Sequence, residues 1–360
     1  MPRFNGFKLE PIFSGDCKFW LILPLTHLSM DKKNIAVVMG GYSDESVVSM
    51  KSGQLIFDSL DKERYNVYRV HILPEGWFFI DERGDRHPIN KADFSVELSS
   101  GLKINFDVCF NIIHGAPGEN GELQAYWDAV GQPYTGCSFY RSALTFNKKD
   151  TLAVLSRYGI PAAKSIYLRK NQSIDTAHIA EELGLPLFVK PNRSGSSLGI
   201  SKVKDVYELP AALEKAFAED DEILIESFLD GTEVSVGVLD LYGKTTVLGI
   251  TEIVSENEFF DYEAKYEGAS EEITPARLDD NIRQSVEEMA VRAYEALGMS
   301  GFSRSEFIIV DGVPHILEMN TNPGFSPASI LPQQAKHYGI SIPDLCAQEV
   351  EKALAKNNKA

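Results

Sequence analysis

The stretch 34–39 is apolar and β-branched with no polar alternation, and it ends at Gly40-Gly41. A short continuous run of this kind predicts a strand covered on both faces in a parallel sheet. Ser43 or Asp44 then offers a side-chain oxygen to cap a helix running to about Leu60. Further strands are predicted over 65–73 and 106–113. The loop His114-Gly115-Ala116-Pro117-Gly118-Glu119-Asn120-Gly121 follows, and then a helix to about Val130. Strands alternating with helices predict a parallel sheet with helices on both faces, so 31–136 reads as a Rossmann-like N-terminal domain.

The pattern then changes. A helix is predicted over 142–158, strands over 165–168 and 185–190, a glycine-rich loop over 192–199 and a strand over 200–203. A helix over 206–218 and a strand over 222–228 complete a small α+β block, 137–229. A second α+β block, 230–360, has strands over 233–239 and 245–252, a helix over 280–297, a strand pair over 302–310 and 313–319, and two closing helices. Within it, 256–276 is polar, aromatic and aperiodic. A long loop inside a compact domain is usually functional. The fold class is thus α/β followed by α+β.

At 360 residues the chain is long enough for two to three domains of about 150 residues each. Hydrophobic residues at 44% and charged residues at 24% exclude a mainly disordered or collagen-like chain. The net charge of −17 repels nucleic acid and anionic membranes at long range, so neither is an expected partner. An anionic substrate needs a local cluster of cations and backbone N–H groups. Cys17, Cys109, Cys137 and Cys346 form no CxxC pair and match no zinc spacing, which makes the cytoplasm the expected location. The apolar run 19–25 is too short to span a bilayer and is broken by Pro24. Residues 1–30 read as a disordered extension before a natural start at Met30.

Arg304 and Glu306 are two apart on one predicted strand, and Glu318 and Asn320 on the next. Strand period is two, so each pair shares a face. Carboxylates on a part-buried face suit a hard divalent cation that shares phosphate oxygens. The plainer alternative is a salt-bridged face around Arg304. A two-residue turn at Asp311-Gly312 would pair Val310 with Val313 and set Ser305, not Glu306, opposite Glu318. A shared metal site therefore requires a three-residue loop 310–312 or a bulge that corrects the parity. The segment from Lys190 through Gly199 leads into a strand, which disfavours a P-loop or a dinucleotide fingerprint. Its backbone N–H groups and Lys190 still suit phosphate, with a flexible hairpin as the alternative. A single histidine at a strand end, His114, is more often structural than catalytic. The alternating run 260–266 is either a solvated loop or a lid.

Several motifs occur in one order: Gly40-Gly41-Tyr42-Ser43-Asp44-Glu45, His114-Gly115 with Gly118-Glu119-Asn120-Gly121, Asn147-Lys148, and Lys190-Pro191 with Gly195-Ser196-Ser197. Tyr262-Glu263-Ala264-Lys265-Tyr266 and Glu318-Met319-Asn320-Thr321-Asn322-Pro323-Gly324 complete the set. Together, over about 31–355, they resemble the D-alanine–D-alanine ligase family of the ATP-grasp fold. The resemblance implies an ATP-grasp pair of α+β subdomains and an ATP-driven ligation of two D-alanines through an acyl phosphate, for peptidoglycan precursor synthesis. It implies that Glu45 binds the first ammonium with His114 nearby, and that Ser196 and Tyr266 bond with Glu45 and lock a lid over 252–276. Lys148, Lys190 and Lys265 would hold ATP phosphates, and Glu226, Phe228, Leu229 and Glu233 the adenine and ribose. Glu306, Glu318 and Asn320 would hold two Mg²⁺ or Mn²⁺ ions. Arg304 and the Gly324 N–H would form an oxyanion hole, and Ser329 and Ile330 would hold the second carboxylate. A homodimer is implied by the family alone. Glu306 is one methylene longer than the family's metal aspartate. Other ATP-grasp ligases, a D-alanine–D-lactate ligase among them, and a non-catalytic nucleotide-binding module remain alternatives. Tyr266 favours an amine acceptor, and the Arg304, Glu306, Glu318, Asn320 set favours catalysis.

Overall fold

The structure, a computed structural model, describes residues 32–255 and 270–357. The expectations for 1–30, for Lys265 and Tyr266 and for most of the lid therefore lie outside the described residues. Lys32 onward forms one compact unit built on three sheets.

β1 (Lys33–Gly40) lies parallel between β2 (Tyr65–Leu73) and β7 (Val108–Asn111), and it is buried from Ile35 onward on both faces. The parallel expectation holds for these three strands and fails for the rest of the sheet. β3 (Gly76–Ile80), β4 (Arg86–Asn90), β5 (Ser95–Glu97) and β6 (Lys103–Ile104) extend β2 as an antiparallel meander. The connection from Leu73 to Gly76 has two residues, which allows a hairpin and is far too short for a crossover helix. α1 (Ser46–Ser59) and α2 (Glu122–Val130) follow β1 and β7. α1 has no side-chain cap: its N-cap is Glu45, and neither Ser43 nor Asp44 does that work. The Glu45 side chain is engaged elsewhere, as described below.

The single helix expected over 142–158 is two helices, α3 (Phe139–Phe146) and α4 (Lys148–Arg157). Asn147 between them is extended, with φ −96° and ψ 100°, and its side chain accepts the Asp150 N–H at 3.0 Å. An amide that offers the backbone this bond favours a cap over a helix interior. The break makes Lys148 the first residue of α4.

β8 (Ser165–Arg169), β9 (Leu187–Pro191), β10 (Ser201–Val203) and β11 (Glu222–Ser227) form an antiparallel sheet in the order β10-β9-β11-β8. Leu187, Val189, Ile223 and Ile225 bury one face under α5 (Thr176–Leu183) and α6 (Leu209–Glu219). Strand alternation sends Phe188, Lys190 and Glu226 to the other face.

The third sheet is β14-β13-β12-β15-β16, with β12 (Thr232–Leu241), β13 (Lys244–Ser255), β14 (Ser270–Ile273), β15 (Ser303–Val310) and β16 (Val313–Asn320). Val234, Val236, Phe307, Ile309 and Ile316 pack on α7 (Asp280–Ala296). α8 (Ile330–Tyr338) and α9 (Ile342–Asn357) close the chain, and Leu345, Cys346 and Val350 of α9 join the apolar cluster that holds Ile35, Val37 and Met39 of β1.

The β15–β16 hairpin has the two-residue turn, not the three-residue loop: Val310 pairs with Val313. Asp311 and Gly312 have φ of 50° and 79°, the left-handed pair that suits a tight hairpin. Parity is corrected four rungs later. Phe307 pairs with Ile316 but Glu306 with Glu318, so Leu317 is an extra residue, a β-bulge. Arg304 consequently opposes Asn320.

Candidate active site

Two adjoining cavities lie between the sheets. The larger, 440 Å³, is walled by Phe188, Lys190, Glu226, Phe228, Leu229, Glu233, Glu306, Ile308, Leu317 and Glu318. That volume falls in the range of about 300–1,000 Å³ usual for small-molecule sites. The smaller, 80 Å³, is lined by Glu45, His114, Glu119, Arg304, Asn320 and Gly324 among others. Lys148, Ser194, Gly195, Ser196 and Glu318 line both and form the shared wall.

The bulge decides what the larger cavity sees. Along β15 the side chains alternate, with Glu306 and Ile308 on the cavity and Phe307 and Ile309 in the core. On β16 the consecutive residues Leu317 and Glu318 both line the cavity, which a regular strand forbids. One residue supplies an apolar wall and the next a carboxylate.

Charge in the shared wall is paired in advance. Lys148 Nζ lies 3.1 Å from Glu318 Oε2 and donates to the Ser194 carbonyl at 2.8 Å. Burial pulls its ammonium down, but the Glu318, Glu306 and Glu226 carboxylates outweigh this and hold it above the usual lysine range. Lys190, also buried, pairs with Glu226 Oε2. Glu226 Oε1 and Glu306 Oε1 are buried and accept no hydrogen bond. Arg304 stands 2.9 Å from that Glu306 oxygen as an ion-pair contact. The Glu226 oxygen suits a ligand N–H, whereas the Glu306 oxygen already faces the Arg304 guanidinium.

Glu45 is held by the glycine-rich loop. Ser196 Oγ donates to Glu45 Oε1 at 2.5 Å. A Cβ at Gly195 would stand 2.8 Å from Glu45 Oε2, so a larger residue there would require the Glu45 carboxylate to shift. Asn192 anchors the loop's start: its Oδ1 accepts the Lys149 N–H at 2.9 Å, and its amide donates to Asn147 Oδ1 at 3.0 Å.

All the expected residues among those described reach the cavities except Ser329 and Ile330. Ser329 Oγ accepts the Ser326 N–H at 3.0 Å beside Gly324, and Ile330 is buried as the first residue of α8. His114 lies on the wall of the small cavity, yet both ring nitrogens are taken by protein partners, Ser52 and Asn322. In the sequence Glu119 stands out only as part of the motif Gly118-Glu119-Asn120-Gly121. It enters the small cavity, accepts the Gly115 N–H at 3.0 Å, and is pushed up to about 7 by burial and the charge of Glu45. Its position after a glycine in a loop beside His114 was the available signal. Asn322 was also missed as a structural link: its amide donates to Ile113 O at 3.2 Å and Gly118 O at 2.9 Å, tying the loop after β16 to the first sheet. Among the described residues no helix is long and apolar enough to cross a membrane.

Comparison with known proteins agrees with this geometry. Residues 34–137 match the family described as D-ala D-ala ligase N-terminus, and 154–351 match D-ala D-ala ligase C-terminus. A D-alanine–D-alanine ligase of Flavobacterium psychrophilum is 60% identical over 90% of this chain and 98% of its own length. Among solved structures, the VanG D-Ala:D-Ser ligase from Enterococcus faecalis superposes with a TM-score of 0.81 at 32% identity, covering 89% of this chain and 99% of that one. The D-alanine–D-alanine ligase from Bacillus anthracis complexed with ATP gives a TM-score of 0.72 at 28% identity over 91% of this chain and 99% of its own. The mixed sheets, the paired cavities and these matches over most of the sequence lead to one conclusion: the chain belongs to the D-alanine–D-alanine ligase family and has its ATP-grasp fold.

Proposed function

We propose that this protein joins two molecules of D-alanine at the expense of ATP, giving D-alanyl-D-alanine, ADP and phosphate, as a cytoplasmic step in making peptidoglycan precursors. The observation that carries the reading is the shared wall. A nucleotide-sized cavity meets a small polar one at Lys148, the 194–196 loop and Glu318, so a terminal phosphate and a small carboxylate would meet there.

In this reading adenine lies among Phe188, Phe228, Leu229 and Leu317, with Glu226 Oε1 free to accept an N–H and Glu233 near the ribose. Lys148 and Lys190 exchange part of their carboxylate pairing for the triphosphate, with Lys265 assigned to the same charge. Glu306, Glu318 and Asn320 would hold two Mg²⁺ or Mn²⁺ ions. Glu306 and Glu318, opposed on one rung, fit that assignment. Bound there, the ions would neutralise phosphate charge and clamp the transferring group.

Glu45, fixed by Ser196, takes the ammonium of the first D-alanine, and Tyr266 would close on the same pair. The first carboxylate attacks the γ-phosphorus and ADP leaves. The amine of the second D-alanine then attacks the carbonyl carbon of the acyl phosphate, loses a proton, and phosphate departs. Arg304 and the Gly324 N–H stabilise the oxyanion of that intermediate. Ser329, beside Gly324, and Ile330 would bound the second carboxylate. Water must be excluded while the acyl phosphate exists, which is the task assigned to the lid.

The test is phosphate release and product analysis with D-alanine, L-alanine, D-serine and D-lactate offered in turn. D-alanine alone should give one dipeptide per phosphate. Turnover with L-alanine, or none with D-alanine, refutes the reading. A homodimer is part of the same proposal, checked by sedimentation of the full chain.

A further inference from the structure

α1 carries two fully buried serines whose hydroxyls do different work. Ser49 Oγ accepts the Gly40 N–H at 2.9 Å and donates to the Ile112 carbonyl at 2.8 Å, so it ties strands of the first sheet to their own helix. Ser52 reaches further. Its Oγ accepts the Phe325 N–H at 3.0 Å and stands 3.1 Å from His114 Nε2. His114 Nδ1 in turn stands 2.6 Å from the Asn322 carbonyl oxygen.

These contacts leave one assignment of hydrogens. A carbonyl oxygen only accepts, so Nδ1 carries the hydrogen. In a neutral ring Nε2 is then the acceptor, and the Ser52 hydroxyl donates to it. A protonated ring would make Nε2 a donor and strand the Ser52 hydrogen in a buried site. Burial also holds His114 below the usual imidazole range, in keeping with a neutral ring. The two ends of this relay, Asn322 and Phe325, flank Pro323-Gly324.

We infer that Ser52 is a positioning residue for the ligation step: through neutral, Nδ1-protonated His114 it pins the backbone on both sides of Gly324 and so aims the Gly324 N–H at the developing oxyanion. This assigns His114 to the loop and not to a direct bond with substrate. The inference rests on the ligase reading above. It predicts a defect in the second half of the reaction. With the oxyanion donor misaimed, the acyl phosphate still forms, amine attack slows, and water competes for the intermediate.

Ser52→Ala, with Ser49→Ala as the control for a lost buried hydroxyl, separates positioning from stability. Both are made in the full chain, with phosphate and dipeptide measured separately. Ser52→Ala should lower dipeptide kcat roughly 10- to 100-fold, the cost of a misplaced catalytic group. KM for ATP should stay within about twofold, and phosphate should exceed dipeptide. Ser49→Ala should lower thermal stability and keep one phosphate per dipeptide. Ser52→Thr, which retains the hydroxyl, should restore coupling. One phosphate per dipeptide in Ser52→Ala, with a kcat no lower than that of Ser49→Ala, overturns the inference. A second measurement does not depend on the variant folding. Nitrogen-15 spectra of the wild-type chain near pH 7, with His114 assigned by loss of its signal in His114→Gln, should show the Nδ1–H tautomer. An Nε2–H or doubly protonated ring overturns the relay. Absence of dipeptide from the wild-type chain would instead refute the ligase reading and leave the tautomer to be judged by itself.

Discussion

Glu119→Gln should flatten the pH dependence of stability. In the folded chain this carboxyl is raised from an ordinary 4.5 to about 7, chiefly by burial and then by the charge of Glu45, against two backbone N–H groups that pull it down. Between those values the native state keeps a proton that the unfolded chain has released. The favourable contribution is therefore whole below pH 4.5 and lost as pH rises through about 7. At about 1.4 kcal/mol per pH unit, the interval corresponds to roughly 3 kcal/mol. Glu119 retains some solvent access, and screening reduces the expected loss to roughly 1.5–3 kcal/mol. Glutamine mimics the protonated form and does not titrate. Urea unfolding of both chains at about pH 5 and pH 8 measures the difference, with m-values compared to confirm one transition. The wild type should lose more stability than the variant on going to the higher pH, by that amount. Parallel stability curves would refute the buried, Glu45-coupled picture of Glu119.

Three further outcomes follow from the site. Glu318→Gln removes the carboxylate that opposes Glu306 and pairs Lys148; half-maximal activity should need on the order of 10- to 100-fold more Mg²⁺, the usual cost of losing a metal-site partner, and an unchanged metal titration would remove Glu318 from the proposed ion site. Asn322→Ala deletes two buried amide bonds but leaves Gly118 O with the Asn111 and Gln124 amides; calorimetry or urea should show a loss of about 1–3 kcal/mol. Asn147→Ala removes the α4 cap and a partner of Asn192; it should cost about 1–2 kcal/mol in urea and loosen the glycine-rich loop, seen as a raised KM for ATP.

Much of this molecule is written in local pattern. The continuous apolar run of β1, the glycine-rich loop that leads into a strand, and the period of two that sets Arg304 with Glu306 and Glu318 with Asn320 all depend on residues close in sequence. Their physical causes, dihedral preference and side-chain alternation, act over the same few positions. The ordered motifs extended this to the family, and Glu45, Lys148, Lys190 and Glu318 from those motifs line the cavities. Tertiary structure decided the remainder. Turn chemistry at Asp311-Gly312 asks for the tight hairpin, and the Glu306–Glu318 rung asks for an odd residue; only packing of the sheet placed that residue at Leu317. A bulge of this kind is defined only against the partner strand, whose register leaves one residue unpaired, so the bulged segment alone does not reveal it. Asn147 was compatible with a helix interior until Asn192, 45 residues away, and the Lys148 site needed the break. Glu119 is an ordinary loop carboxyl until folding buries it beside Glu45. Ser52 and His114 stand 62 residues apart, and their partner Asn322 comes 208 residues after His114. Contacts at that range are selected by burial of hydrogen-bonding groups that must find partners once water is gone, and no window of sequence contains both halves of such a pair.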